Sequence, residues 1–229
     1  MNIQDLLRKT FTYRYIYLPY RQKQGRERIQ KQYEYLIDKA PELVRNIINV
    51  FNAEGIPYWL EFGTLLGAYR DKTIIKGDFD LDFGAYQKDV ANIYMALSKA
   101  GFKLVREFHE IGRNGIEQSY YDGNITFDIF YFSEEDTNSL SCFAFTPIPN
   151  RSVPNKTTYG KVSSWTFKKF DLVKYDFLGS EVYIPTNTEE HIEEIYGKQW
   201  RIPDPNFKQG FNRRNYDITE RMGVGFQYM

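Results

Sequence analysis

The sequence predicts an α+β domain: a mixed β-sheet flanked by helices, with a helical arm at the N-terminus. Three observations in the 229 residues carry that expectation. Apolar residues from Lys31 to Phe51 recur at helical spacing, and Phe79 to Phe83 alternates apolar and acidic side chains as a strand does. Asp122-Gly123, between two strand-like runs, has the composition of a hairpin turn. No repeat, low-complexity tract or linker divides the chain. The expected organisation is an arm over residues 1–31, one domain over 32–205 and a polar tail over 206–229.

The arm carries eight basic side chains against Asp5 and Glu27, in a chain whose 30 basic and 30 acidic residues balance to zero. Ile3, Leu6, Leu7 and Phe11 follow near-helical spacing. Tyr13, Tyr15, Tyr17 and Tyr20 interleave with the bases, and Pro19 is expected to interrupt any helix there. Such a segment suits an anionic membrane surface; packing on its own domain, basic face to solvent, is the equal alternative.

Leu36, Ile37, Ala40, Leu43, Val44, Ile47, Ile48 and Phe51 then form a helical stripe closed by Gly55, and Pro41 is expected to start a second helix within it. Tyr58 to Phe62 reads as a strand, Gly63-Thr64 as its turn, Thr64 to Arg70 as a short helix, and Lys88 to Ala100 as a longer one. Strands are expected around Gln118–Tyr121 and Ile125–Phe132, and two more on either side of Leu178-Gly179-Ser180-Glu181. Asn187-x-x-Glu190 opens a helix to Tyr196 that Gly197 closes.

Composition excludes several classes. The neutral balance argues against a dedicated nucleic-acid binder. Aromatic residues at 17% of the chain supply ample burial and rule out disorder. No apolar run approaches the roughly 20 residues of a membrane span, and no signal-peptide core is visible. Cys142 is alone, so no intrachain disulfide forms. The expectation is a cytoplasmic protein, peripheral at the inner membrane face if residues 1–31 bind lipid.

The chemistry concentrates in Gly77-Asp78-Phe79-Asp80-Leu81-Asp82. Asp80 and Asp82, two apart on a strand, face the same way, and two anions that close repel. A divalent cation between them resolves the repulsion, and hard carboxylate oxygens select Mg²⁺ or Mn²⁺. Asp78 can extend the cluster. Asp128 stands inside the apolar run Ile125 to Phe130, which is costly unless it is paired or ligating. Asp80 and Asp82 are therefore expected to hold the metal, with Asp128 as a candidate beside them.

Gly63 permits a close backbone approach, and Thr64 heads a helix whose amides and hydroxyl suit a phosphate. Arg70 as a fork and Lys76 as a point charge complete the expected phosphate contacts, although Lys76 also reads as a surface residue. His109 and His191 are too few for a zinc site. Trp165, Trp200, Tyr58 and Tyr159 read as core residues first, with an aromatic cage for a quaternary ammonium as the other use.

A strand, a Gly-hydroxyl turn, a helix and then a strand bearing Asp-x-Asp resemble the nucleotidyltransferase arrangement. That resemblance implies that Asp80, Asp82 and Asp128 form one catalytic and metal set. The run Ile56-Pro57-Tyr58-Trp59-Leu60-Glu61-Phe62-Gly63-Thr64-Leu65-Leu66-Gly67-Ala68-Tyr69-Arg70 resembles the signature of the LicD/fukutin family of phosphotransferases. The aspartate block, Asp128-Ile129-Phe130, Ile184-Pro185 and Tyr196-Gly197-Lys198-Gln199-Trp200 resemble its other blocks in the same order. The resemblance implies a nucleotidyltransferase-like fold and transfer of a phospho-substituent, phosphocholine, ribitol phosphate or similar, from a CDP-activated donor to a glycan hydroxyl. CMP would leave, and a surface polysaccharide or glycan would be modified. Where the family's block reads Trp-Asp-Asp-Asp-Ile-Asp, this chain keeps the metal-facing aspartates and lacks the Trp and the middle Asp. A nucleotidyltransferase making an activated precursor from CTP and an inactive binding subunit of the same fold are the alternatives.

Overall fold

The first element is a helix, α1 (Leu18–Ala53), in a computed structural model that describes residues 18–153, 157–204, 207 and 216–228. It corrects two expectations. Pro41 starts no second helix but lies inside this one. An interior proline costs about 3 kcal/mol. Leu36, Ala40, Leu43, Val44, Ile47 and Phe51 are fully buried along the same stripe, and a large apolar side chain contributes about 1.5–3 kcal/mol when buried, so the stripe outweighs the break. Pro19 lies in the first turn, where a missing N–H costs little. The division expected at residues 31/32 thus falls within one helix, and residues 1–17 of the arm lie outside the described residues.

A short strand β1 (Tyr58–Leu60) leads into a one-turn helix α2 (Phe62–Leu66) and a π-helical turn, Gly67–Asp71. There follow β2 (Leu81–Tyr86), α3 (Val90–Lys99), β3 (Lys103–Glu110), β4 (Ile116–Tyr121) and β5 (Thr126–Glu134). Two long strands, β6 (Ser139–Val153) and β7 (Thr157–Lys168), precede the hairpin of β8 (Leu172–Phe177) and β9 (Ser180–Pro185). Helix α4 (Thr188–Tyr196) and strand β10 (Tyr216–Gln227) complete the chain.

Eight strands form one sheet in the order β1-β2-β5-β4-β3-β10-β7-β6, and β8 and β9 pair separately. The sheet is mixed: β2 and β5 run parallel and the other pairs antiparallel. The end of β5 also pairs with the start of β6, at Ser133↔Ser141 and Glu134↔Leu140, so the sheet curls back on itself. The expected hairpin at Asp122-Gly123 joins β4 to β5. The expected polar tail is corrected, because its residues 216–227 insert as β10 between β3 and β7. The sheet is larger than the sequence suggested by β3, β6 and β7 as well. The strand expected from Phe79 starts at Leu81, which leaves Asp80 in the preceding loop.

Alternation along two strands then places the chemistry. Leu81, Phe83 and Ala85 of β2, with Phe127, Ile129 and Tyr131 of β5, join one buried core with α1 and α3. Asp82 and Asp128 consequently point to the opposite face. A second core packs Trp59, Phe132, Cys142, Trp165 and Phe167 against Ile195 of α4. Gly84 is required there, since a Cβ at that position would come within 2.2 Å of the Trp59 indole. Tyr58 and Trp165 are fully buried, so they are core residues and not cage walls. No helix among the described residues is long and apolar enough to cross a membrane.

Candidate active site

Asp82 and Asp128 stand opposite each other in the β2–β5 register. Asp128 is in turn level with Ser119 of β4, and Ser119 with Arg106 of β3. In-register neighbours share a face, so these four side chains form one polar row across four strands. The Arg106 guanidinium donates through Nη2 to Asp128 Oδ2 at 3.1 Å and through Nε to Ser119 Oγ at 3.1 Å. The same Nη2 lies 3.7 Å from Glu117 Oε1, a carboxylate two residues from Ser119 on the same face. Neither Arg106 nor Glu117 is singled out by the sequence, because nothing in their spacing sets them apart from an ordinary strand surface.

The Gly63 turn is stapled to this row from both sides. The Gly63 amide donates to Asp82 Oδ2 at 3.1 Å, and the Asp82 amide donates to Thr64 Oγ1 at 2.7 Å. A Cβ on Gly63 would sit 3.1 Å from Asp78 Oδ2 and 3.4 Å from Asp82 Oδ2, so glycine lets both carboxylates close on the turn. Behind it, Glu61 accepts from the Phe62 amide at 3.1 Å, from Trp59 Nε1 at 2.6 Å and from His191 Nε2 at 2.8 Å. Glu61 and His191 are both 0% exposed. Phe62 has left-handed backbone, φ 42°, which costs a non-glycine residue about 1–2 kcal/mol. The Glu61 carboxylate holds that conformation in place.

The expected phosphate contacts change in detail. Thr64 is buried and its hydroxyl already accepts the Asp82 amide, which makes it a pin between turn and strand. Arg70 donates to both oxygens of Asp71, at 2.8 and 2.7 Å, and to the Trp200 carbonyl at 3.1 Å. Gly63, Arg70 and Lys76 line a cavity of about 1090 Å³ together with Asp78, Asp82 and Lys198. Trp200, one of the aromatics considered for a cage, also faces it.

Burial and mutual repulsion mark the acidic group. Burial pushes Asp78 and Asp80 up to about 6, and the charges of Asp128 and Asp78 add to the effect on Asp80. Asp82 is raised well above the carboxylate range by burial first and then by Asp80 and Asp128. Asp128 is also raised by burial, against the opposing pull of Arg106. Glu117 reaches about 8, again through burial and then the charge of Asp128. Surplus negative charge in poor solvent contact fits a hard divalent cation. Among the described residues no three His, Cys, Asp or Glu side chains are already drawn together closely enough to hold one. The fit is therefore one of charge and donor type.

A stability prediction follows from these shifts. In the unfolded chain the same carboxyls titrate near 4, so from about pH 4 to 8 the folded protein holds more protons than the unfolded chain. Stability then falls as pH rises through that window. The lowered groups Glu107, Glu134 and Asp136 act below it. Thermal melts without divalent cations should give a Tm about 5 °C or more higher at pH 5.5 than at pH 8.5. An equal or higher Tm at pH 8.5 would remove the case for a buried acidic cluster.

Comparison with known proteins bears on what this group does. Residues 55–187 match the family model for the LicD/FKTN/FKRP nucleotidyltransferase domain. Ribitol-5-phosphate transferase FKTN of Macaca fascicularis is 34% identical over 166 residues, 72% of this chain and 33% of that protein. Human ribitol 5-phosphate transferase FKRP is 28% identical over 166 residues, 68% of this chain and 30% of that protein. The chain thus spans about a third of the length of these curated relatives. A crystal structure of ANT(2")-Ia with adenylyl-2"-tobramycin aligns with 43% of this chain and 53% of its own, at 13% identity and a TM-score of 0.33, too loose to carry an argument. The family match covers the Glu61–Thr64 turn and all four aspartates, and with it the chain belongs to the LicD/FKTN/FKRP nucleotidyltransferase-domain family.

Proposed function

We propose that this chain is a phosphotransferase that moves ribitol phosphate, phosphocholine or a similar phospho-substituent from a CDP-activated donor to a glycan hydroxyl, releasing CMP. The observation that carries the reading is the Asp82–Asp128 pair on adjacent parallel strands, tied to the Gly63 turn inside the matched domain. Relatives named ribitol-phosphate transferases support the class of group transferred.

Asp80, Asp82 and Asp128 would hold Mg²⁺ or Mn²⁺, which supplies charge neutralisation at the donor phosphates and at the leaving CMP. The chain's own residues do the rest. Lys76 and Lys198 line the cavity as cations for the donor phosphates, and Arg70, braced by Asp71, fixes the wall at Trp200. Asp128 takes the acceptor hydroxyl proton as general base. Burial raises its proton affinity above that of an ordinary carboxylate, while Arg106 keeps its Oδ2 oriented.

The test is a donor panel of CDP-ribitol, CDP-choline, CDP-glycerol and CTP, each with Mg²⁺. CMP release from one CDP compound, stimulated by a glycan fraction, is the expected result. Pyrophosphate release from CTP would replace this reading with precursor synthesis, which the nucleotidyltransferase fold also permits. Inertness toward all four donors would leave a binding subunit.

A further inference from the structure

Part of the cavity of about 1090 Å³ is a wall of chain, Tyr196 to Asp204, that leaves the end of α4. Ile202, 69% exposed, gives the wall an uncovered apolar side chain, and the rings of Tyr196 and Phe207 lie 5.0 Å apart along the same lining. Aromatic rings and an open aliphatic group suit the flat base of a nucleoside. The lining also includes Gly63, Asp78 and Asp82, so one cavity joins this wall to the acidic group.

Buried contacts tie the wall to the Gly63 turn. His191 stands on α4, roughly 7.5 Å along the helix axis before Tyr196, and donates from Nε2 to Glu61 Oε1 at 2.8 Å. Its ring is fully buried, stacked on Phe167 at 4.4 Å and edge-on to Phe170 at 5.2 Å. Ile195, one turn further along α4, packs into the same core. Further along the wall, the Trp200 carbonyl accepts from Arg70 at 3.1 Å. Both contacts land on the run from Glu61 to Arg70, and Gly63, whose amide holds Asp82 Oδ2, lies between them. That run is also where the backbone is least regular, with Phe62 at φ 42° and a π-helical turn at Gly67–Asp71. Strained and π-helical turns concentrate at functional and switch regions. Close-packed contacts shift between discrete arrangements and do not deform by degrees, so a displacement of the wall reaches the turn.

We propose that His191 is a positioning residue: through Glu61 it couples occupation of the Tyr196–Asp204 wall by the donor's nucleoside to the seating of Asp82. The metal site is then completed as the donor binds. The coupling rests on the transfer reading above, which puts the donor in this cavity.

The test is calorimetric Mn²⁺ binding to the full chain with and without saturating cytidine, which has no phosphate to share with the metal. In wild type cytidine should tighten Mn²⁺ binding about fivefold or more, and Mn²⁺ should tighten cytidine binding by the same factor. In His191→Phe, measured where it is fully folded, that factor should fall below about twofold. His191→Gln, whose amide can replace the Nε2 donor, should keep most of it. Arg70→Met releases the Trp200 carbonyl and should reduce the factor as His191→Phe does; it carries the test alone if His191→Phe does not fold. A residue serving only the stability of the fold would lower Tm in His191→Phe and leave the factor unchanged, which overturns the proposal. A wild type that binds cytidine and Mn²⁺ independently also overturns it and leaves the transfer reading standing. Coupling as expected, with no CMP release from any CDP donor, would overturn the transfer reading and leave the role of His191 standing. Binding of neither cytidine nor Mn²⁺ would remove both.

Discussion

Asp82→Asn should lose about a thousandfold or more of CMP-releasing turnover while melting at a higher temperature than wild type in the absence of divalent cations. The two effects share one cause. Asp82 is the member of the acidic group that every neighbour destabilises: Asp80, Asp128, Asp78 and Glu61 all raise its pKa on top of burial. Asparagine keeps an oxygen to accept the Gly63 amide, so the turn stays attached while one anion is removed. On the proposed metal-ligand role, losing that charge should remove several kcal/mol of transition-state stabilisation, and each 1.36 kcal/mol is tenfold in rate, which gives roughly the thousandfold loss. The gain in Tm should grow as pH rises, because the wild-type carboxyl, which burial and its acidic neighbours hold toward the protonated form, must then ionise and the asparagine need not. Calorimetric titration with Mn²⁺ alone should show weakened binding. Turnover within tenfold of wild type at saturating Mg²⁺ would sink the ligand role of this residue.

Legibility of this site in the sequence tracks how local each signal is. Asp82 and Asp128 sit in short apolar runs where alternation decides the face, and the structure puts both on the side away from the α1 core. The hairpin at Asp122-Gly123 is equally local. The residues that orient them are not. Arg106 reaches Asp128 only because β3 lies two strands from β5, and β3 has no clean burial alternation to announce it. Strand β10 was hidden by its glycines. Gly223 and Gly225 depress strand propensity, yet here they make room for the Phe145 and Phe108 rings, which a Cβ would meet at 2.1 and 2.3 Å. Pro41 misled for the opposite reason, since a strong local break was overruled by burial spread along the whole helix.

Glu61 shows most sharply what the sequence conceals, and its removal carries the largest expected effect on stability. Read locally, it is one acidic residue ahead of a glycine turn. In the fold it has no solvent contact and answers three donors from three segments: Trp59 on β1, Phe62 at the head of α2, and His191 on α4. Phe167 stacks on His191 at 4.4 Å, and Glu61 and His191 are both fully buried. Glu61→Ala strands the Trp59 and His191 donors in that closed space and frees the strained Phe62 backbone. Breaking a buried charged hydrogen-bonded group costs about 3–5 kcal/mol, which for a domain of this size lowers Tm by roughly 10 °C. Glu61→Gln keeps an oxygen for the Phe62 amide and His191 but turns its own amide toward the Trp59 N–H, so it should lose about 1–3 kcal/mol. Activity separates support for the turn from general stability. At a temperature where Glu61→Gln is fully folded, its turnover should still fall well below wild type, because the Gly63 amide that orients Asp82 is one residue beyond the Phe62 amide that Glu61 holds. A Glu61→Gln protein with normal turnover at that temperature would confine Glu61 to the stability of the fold, and a Glu61→Ala protein melting within about 2 °C of wild type would deny it even that role.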